Sequence, residues 1–468
     1  MDSEKRVLIV AYLFPPIGGI GVQRALKFAK YLGDHGWKPI VLTTSEAASA
    51  TMDEALMAEI PDDVEVVRVR DPIAKWMKRM MPRTQASHAT TSDGATVATG
   101  RASRLKRWLK QLKDKVLIPD EQVVWALRAA LVGTHLIRQR NITCIFTTSS
   151  PVSAHLTGWL LKRWTRVPWI ADFRDPWTDN MHFYSSGRRA RLEGRMERRV
   201  MRDASAITTV TDGFALRFSQ KYPYLSDKLT VIRNGVDPAD FGPILAAPSP
   251  GVFTMLYAGI LYPKRSPEVF LKAVSQAIRS GRIHPDQIRI EFAGVFDYPG
   301  KASNRELVER LHLDKVVRVL GYLSHDAVAR RMANAHCLLL IGDQDPTANM
   351  YIPGKLYEYL YTRRPIFALL HQGEASSLIE HYQAGVVVSP QSVRDVEDAL
   401  VDMVAHFRTH GPVSGNQPLP VALTRPFQAG QLADVMEELT REAHPWTIVG
   451  RVPRTRDSQH AGTATGGQ

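Results

Sequence analysis

The chain has 468 residues, enough for two to three domains, and its 44% hydrophobic and 23% charged content excludes a chain disordered throughout. Two distant cysteines, Cys144 and Cys337, exclude a disulfide scaffold or a cysteine-rich zinc site, and no run reaches the ~18 consecutive apolar residues of a membrane span. The formal net charge of +13 asks for an anionic partner: nucleic acid, an anionic membrane surface or a phosphorylated substrate.

In chain order, the first residues mix acids with Lys5 and Arg6, and the apolar stretch after them is short and lacks a small-residue cleavage site. They do not read as an export signal, and with so few thiols a reducing cytoplasm is the expected compartment. Strands are expected at Val7–Ala11, Ile40–Thr43, Val64–Val69, Cys144–Thr147, Trp169–Ala171, Ala206–Val210 and Leu229–Ile232. Most are continuously apolar, as parallel strands buried on both faces are. A helix is expected from Gln23 to Leu32, with Gly36 as its C-cap region. Strands alternating with helices indicate a doubly wound sheet.

Four prolines make Asp237–Gly251 an interdomain linker. The alternation then restarts with strands at Thr254–Ala258, Ile288–Ala293, Val316–Leu320, Cys337–Ile341, Pro365–Leu369 and Val386–Ser389. A Gly/Pro-rich connection at His410–Pro420 precedes a helical pattern at Gln428–Arg441. The expected division is an N-terminal domain over 1–245 with a basic insertion at 72–117, a C-terminal domain over 250–410, a final helix within 421–445 and a polar tail over 446–468. The tail and Pro82–Ser103 have the composition of disordered segments.

Four motifs and one further loop carry candidate chemistry. The first strand is followed by Pro15-Pro16-Ile17-Gly18-Gly19-Ile20-Gly21, where Gly18 and Gly19 permit close backbone approach to a ligand at a helix start, or simply an ordinary strand–helix turn. The dinucleotide fingerprint fails, because Arg24 stands at its third glycine position. Asp172-Phe173-Arg174-Asp175-Pro176-Trp177 ends a strand, at the edge where open α/β sheets bind ligands. Its ionisable groups suit an active-site rim, or an Asp–Arg pair that fixes the loop. The hydroxyl-rich Thr147–Pro151 loop, with Ser149, also ends a strand, and equally suits a helix N-cap. Gly259–Ser266 runs from a strand into a loop whose Lys264 and Arg265 would pair with a diphosphate. Pro353-Gly354-Lys355 opens a helix whose N-terminal dipole favours phosphate, and Glu358, one turn on, would accept hydrogen bonds from sugar hydroxyls.

In this order the motifs resemble a bacterial glycosyltransferase of the GT-B fold, in family 4 of the retaining enzymes. The likeness covers roughly residues 6–405 and includes Ile232–Asp237 and Arg364-Pro365-Ile366. It implies two Rossmann-like α/β domains facing each other across a cleft, with a nucleotide-diphosphate sugar bound by the C-terminal domain and a glycan or lipid-linked acceptor by the N-terminal one. It implies no metal and no cofactor beyond that co-substrate. The implied donor-binding residues are Gly18, Gly19, Gly259, Lys264, Arg265, Gly354, Lys355 and Glu358. Arg174, Asp175 and Ser149 would lie near the reacting groups. The chain departs from the family at Ile260 (commonly Arg), Met350 (commonly Glu) and Ser149 (commonly His). A nucleotide-sugar 2-epimerase of the same fold and a silent nucleotide-binding scaffold are the alternative readings.

The basic excess concentrates between Lys75 and Lys115, where eleven basic residues face two acids, Asp93 and Asp114. Leu105, Trp108, Leu109, Leu112 and Val116 recur at helical spacing. This is the pattern of an interfacial helix on an anionic membrane, here at the cytoplasmic face. Nucleic acid is not expected, because no recognition motif accompanies the charge.

Overall fold

The computed structural model describes residues 4–46, 52–75, 117–180, 185–241, 248, 251–298, 300, 303–412 and 421–442. Seven strands, β1 (Lys5–Val10), β2 (Trp37–Thr44), β3 (Glu65–Val69), β4 (Cys144–Thr148), β5 (Trp169–Phe173), β6 (Ala206–Thr209) and β7 (Leu229–Val231), form one parallel sheet in the order β3-β2-β1-β4-β5-β6-β7. Six more, β8 (Phe253–Ala258), β9 (Ile288–Ala293), β10 (Val317–Gly321), β11 (Cys337–Ile341), β12 (Ile366–Leu369) and β13 (Gly385–Val388), form a second in the order β10-β9-β8-β11-β12-β13. All thirteen expected strands are present, each within a few residues of its expected ends.

Both faces of each sheet are buried, which is why the strands read as unbroken apolar runs. In the first sheet Leu8, Leu42, Ile145 and Ala171 face a core shared with Trp125, Leu161, Val200 and Phe214 of four helices. Val7, Ile9, Val41 and Phe146 face the other way, onto the helix Ile20–Tyr31 and onto Ala429, Leu432, Ala433 and Met436. Those last four belong to the helix Arg425–Glu442, so the end of the chain covers the first sheet. The second sheet is likewise packed on both sides.

Two expectations are corrected. The helix Ile20–Tyr31 ends at Leu32, and Gly36, with φ 77°, closes a separate turn at Gly33–His35. The segment Asp237–Asp240 is not free linker: buried Asp237 accepts hydrogen bonds from Lys27 (2.7 Å), Lys30 (2.9 Å) and Tyr31 (2.6 Å), anchoring it to the first helix. The expected interfacial helix at Leu105–Val116, Pro82–Ser103 and the tail lie outside the described residues. Among the described residues, no helix is long and apolar enough to cross a membrane.

Candidate active site

In each sheet the strand order reverses direction at one point, between β1 and β4 and between β8 and β11. Loops leaving the C-terminal ends of such neighbours diverge and leave a crevice. Gly18 and Gly19 follow β1 and Ser149 follows β4; Gly259–Arg265 follows β8, and the chain after β11 leads to Gly354 and Lys355. Every sequence-predicted site residue except Arg174 and Asp175 therefore lies on a connection flanking a switch point. Arg174 and Asp175 leave the adjacent strand β5, and Glu358 lies one turn into the helix Gly354–Thr362.

In the second sheet the loops converge on Lys355. Its Nζ is buried and has no hydrogen-bond partner among the described residues. It stands 3.8 Å from the centre of the Tyr257 ring and 2.9 Å from where a Cβ on Gly259 would be. Gly259 has φ 122°, so both its backbone conformation and the lysine exclude a side chain there. Burial first, and then the nearby Arg265 charge, push the Lys355 amine down to about 7, with Glu358 pulling the other way. Two cations close to one buried point create a positive potential that a bound anion would relieve. Arg265 lies over the Tyr262 ring at 5.5 Å, and no carboxylate among the described residues pairs with it. Lys264 instead reaches Asp345 at 3.5 Å and accepts the Gln344 amide through its carbonyl, tying the two loops together. The Asp343-Gln344-Asp345 acids serve the turn: Asp343 accepts the Asp345 amide, and Asp345 caps Pro346–Met350 through the Thr347 amide.

The N-terminal edge is organised by arginines. Arg24, at the position where the fingerprint asks for glycine, is 1% exposed and meets Asp172 with two hydrogen bonds of 2.9 and 2.7 Å. It also donates to the carbonyls of Ile232 (3.0 Å) and Arg233 (3.1 Å). Asp172 accepts further bonds from Thr148 and Thr208, both 2.7 Å. Burial alone would raise its pKa, but Arg24 and these hydroxyls hold it below the usual carboxylate range. The ionic pair in the Asp172–Trp177 motif is thus made with Arg24, not with its neighbour Arg174. Arg174 donates to the carbonyls of Ser149, Gly21 (2.5 Å) and Ser150 (3.3 Å), clamping the start of the helix Ile20–Tyr31 to the loop after β4, while Asp175 supports its charge. The Ser149 side chain is buried and turns to the Asp172 carbonyl at 3.5 Å. His155, six residues on, is no substitute for a cleft histidine. It is fully buried on Phe173, and burial pushes it down to about 3, so it stays neutral.

The two domains touch through groups the sequence reading did not single out. Glu374 accepts the Gly213 amide (2.5 Å) at the start of the helix Asp212–Lys221 and faces Arg233 at 3.4 Å. Tyr351 packs edge-on against Phe214, and Met350 lies against Gly213. Where the family pattern has an acid, this chain thus has an apolar contact to the N-terminal domain beside Glu374. A cavity of about 940 Å³ opens around this contact, but none of the residues around Lys355 lines it. Glu59, Asp237 and Asp240 bring three carboxylates together, and the Lys27 ammonium stands among them.

Comparison with known proteins agrees with this architecture. Residues 17–240 match the model of Glycosyltransferase Family 4, and residues 252–406 that of Glycosyl transferases group 1. A glycosyltransferase from Rickettsia africae superposes with a TM-score of 0.61 at 15% identity, covering 93% of this chain and 98% of its own. HepE of Anabaena, solved in complex with UDP, gives 0.54 at 14% identity, covering 94% and 98%. A Listeria monocytogenes protein named as a putative UDP-N-acetylglucosamine 2-epimerase gives 0.55 at 10% identity, covering 94% and 98%. No curated protein matches significantly. The structural likenesses establish the fold, and the two family matches, which lie on the two sheets in order, make this chain a glycosyltransferase of the GT-B fold.

Proposed function

We propose that the protein transfers a hexosyl unit from a nucleotide-diphosphate sugar, with retention and without a metal, to a glycan or lipid-linked acceptor in cell-surface polysaccharide or glycolipid synthesis. One observation supports the donor assignment above the others: the buried, unpartnered Lys355 ammonium beside Arg265, at the opening of the helix Gly354–Thr362. A diphosphate would satisfy Lys355, Arg265 and the free amides of the first turn together. Preorganised positive charge of this kind stabilises a leaving diphosphate as negative charge builds on it. Lys264 stands at the rim, and Glu358 takes the ribose hydroxyls. Gly18 and Gly19 let the backbone after β1 approach the same phosphates from across the cleft. Arg174 acts as a positioning residue, holding the helix start at Gly21 and the loop that carries Ser149, with Asp175 beside it near the acceptor. The acceptor is brought in at an anionic membrane surface on the cytoplasmic side.

The test is a thermal-shift screen of nucleoside diphosphates and their sugars, begun with UDP because HepE was solved with it. Labelled transfer assays with lipid-linked and free glycan acceptors follow. Turnover that needs an acceptor, giving a product with the donor's anomeric configuration by NMR, supports the proposal. Conversion of the donor sugar without acceptor indicates epimerisation, and binding without turnover a scaffold; either overturns it.

A further inference from the structure

We propose that the outward face of the helix Gly187–Asp203 is a docking surface for a bilayer rich in anionic phospholipid. Apart from Gly187, its exposed positions are Leu192 and six arginines: Arg188, Arg191, Arg195, Arg198, Arg199 and Arg202. Positions 188, 191, 195, 198 and 202 alternate steps of three and four, so they line one stripe. The fourteen steps of helical rise from Arg188 to Arg202 make that stripe about 21 Å long.

The fold does not require this charge. The buried acids Glu193 and Glu197 point inward, to Ser185 and Arg189 and to Thr178, Lys221 and Tyr222 respectively. Asp203 takes Arg199 (3.9 Å) and Arg202 (2.7 Å). No carboxylate among the described residues pairs with Arg188, Arg191, Arg195 or Arg198. Like charges at three- and four-residue spacing oppose helix formation, so a face that were merely solvated would be expected to mix signs. An all-arginine stripe fits an array of phosphates, which guanidinium forks bind in pairs.

Three further observations favour a membrane. Leu192, 42% exposed, sits within the stripe as an apolar contact. The neighbouring helix Ser153–Thr165 packs its Trp159 ring under the Arg199 guanidinium at 5.1 Å, and at its end stand exposed Arg163, Trp164 (42% exposed) and Arg166. Tryptophan is a side chain that settles at head-group level. The arginine helix also starts on the cleft side of the first sheet, where Arg189 donates to the Pro119 carbonyl at 2.6 Å. Pro119 follows closely in sequence on the strongly basic stretch between Lys75 and Lys115. Nucleic acid is disfavoured, because no recognition motif accompanies the charge.

The experiment is sedimentation of the full chain with vesicles of phosphatidylcholine containing about a third phosphatidylglycerol, against phosphatidylcholine alone. Binding is expected to the anionic vesicles only and to vanish at high salt. The triple variant Arg191→Gln, Arg195→Gln, Arg198→Gln is expected to partition about 100-fold more weakly. A control lowering charge equally elsewhere, Arg310→Gln, Lys315→Gln, Arg318→Gln, is expected to stay close to the parent. Melting curves show that both variants fold, and UDP affinity, measured without vesicles, reports the donor site separately from the docking face. Equal partitioning of the triple variant and the parent, equal binding to neutral vesicles, or binding to a nucleic acid but to no vesicle overturns the proposal.

Discussion

Lys355 sets a conflict between stability and function at a single atom. A buried donor without a partner costs roughly 1–3 kcal/mol, of which the Tyr257 ring returns part, about 0.5–2 kcal/mol. Lys355→Met should therefore raise the melting temperature of the ligand-free protein near pH 7 while abolishing donor binding; a lower melting temperature would show the ammonium to be satisfied. Between about pH 7 and the usual 10.5 the folded chain holds fewer protons on this amine than the unfolded chain. Its destabilising effect is thus greatest below this window and fades as pH rises. A bound diphosphate reverses the balance by raising the amine's pKa. Nucleotide affinity should then fall by up to about tenfold per pH unit above pH 7, with proton uptake visible by calorimetry in buffers of different ionisation enthalpy. Lys355→Met must remove that slope. Arg265→Ala, which removes the second cation, should weaken donor binding by roughly 1.5–3 kcal/mol and leave acceptor binding unchanged.

At the scale of elements, the first domain is completed by the far end of the chain. Leu432 and Met436 are fully buried against the helix Ile20–Tyr31, and burying two such side chains contributes about 3–6 kcal/mol. That is comparable with the whole stability of a domain, about 5–15 kcal/mol. The crossing is threaded through a narrow place: the Val236 amide donates to the Leu423 carbonyl (2.9 Å), and the Arg425 amide to the Val236 carbonyl (2.8 Å). A Cβ on Gly235 would collide with the Gln428 amide and the Leu423 carbonyl. Gly235→Ala should cost about 1–3 kcal/mol through this overpacking and free the last helix first. Limited proteolysis releasing a fragment near residue 421 before global melting is the expected result.

Across the whole molecule, Glu374 joins the domains by satisfying an exposed helix start and facing Arg233. One hydrogen bond to a charged group contributes about 1.5–3 kcal/mol, enough to set how far the cleft stands open. Glu374→Ala should raise the radius of gyration measured by small-angle scattering. It should also weaken donor binding by roughly tenfold, because less of the protein holds the closed state. Unchanged scattering with unchanged affinity would mean that the packing of Tyr351 on Phe214 suffices.

The sequence by itself determined the two doubly wound sheets, because strands buried on both faces must be apolar at every position, and that pattern is local. It also pointed to Gly259, Lys264, Arg265, Gly354 and Lys355, because a cation-bearing loop between a strand and a helix is legible in one window of residues. Only the tertiary structure decided what each charge does. Lys355 is unpaired because Gly259, nearly a hundred residues earlier, leaves room for it, whereas Lys264 is engaged by Asp345. Asp172 answers to Arg24 across 148 positions, and Arg174 holds three backbone carbonyls that no spacing reveals. The all-arginine face follows the same division. Seven arginines within Gly187–Asp203 are plain in the sequence, but only packing shows which of them the fold uses. Charges act through distance, and in this topology the distances that matter are set by strands and helices far apart along the chain.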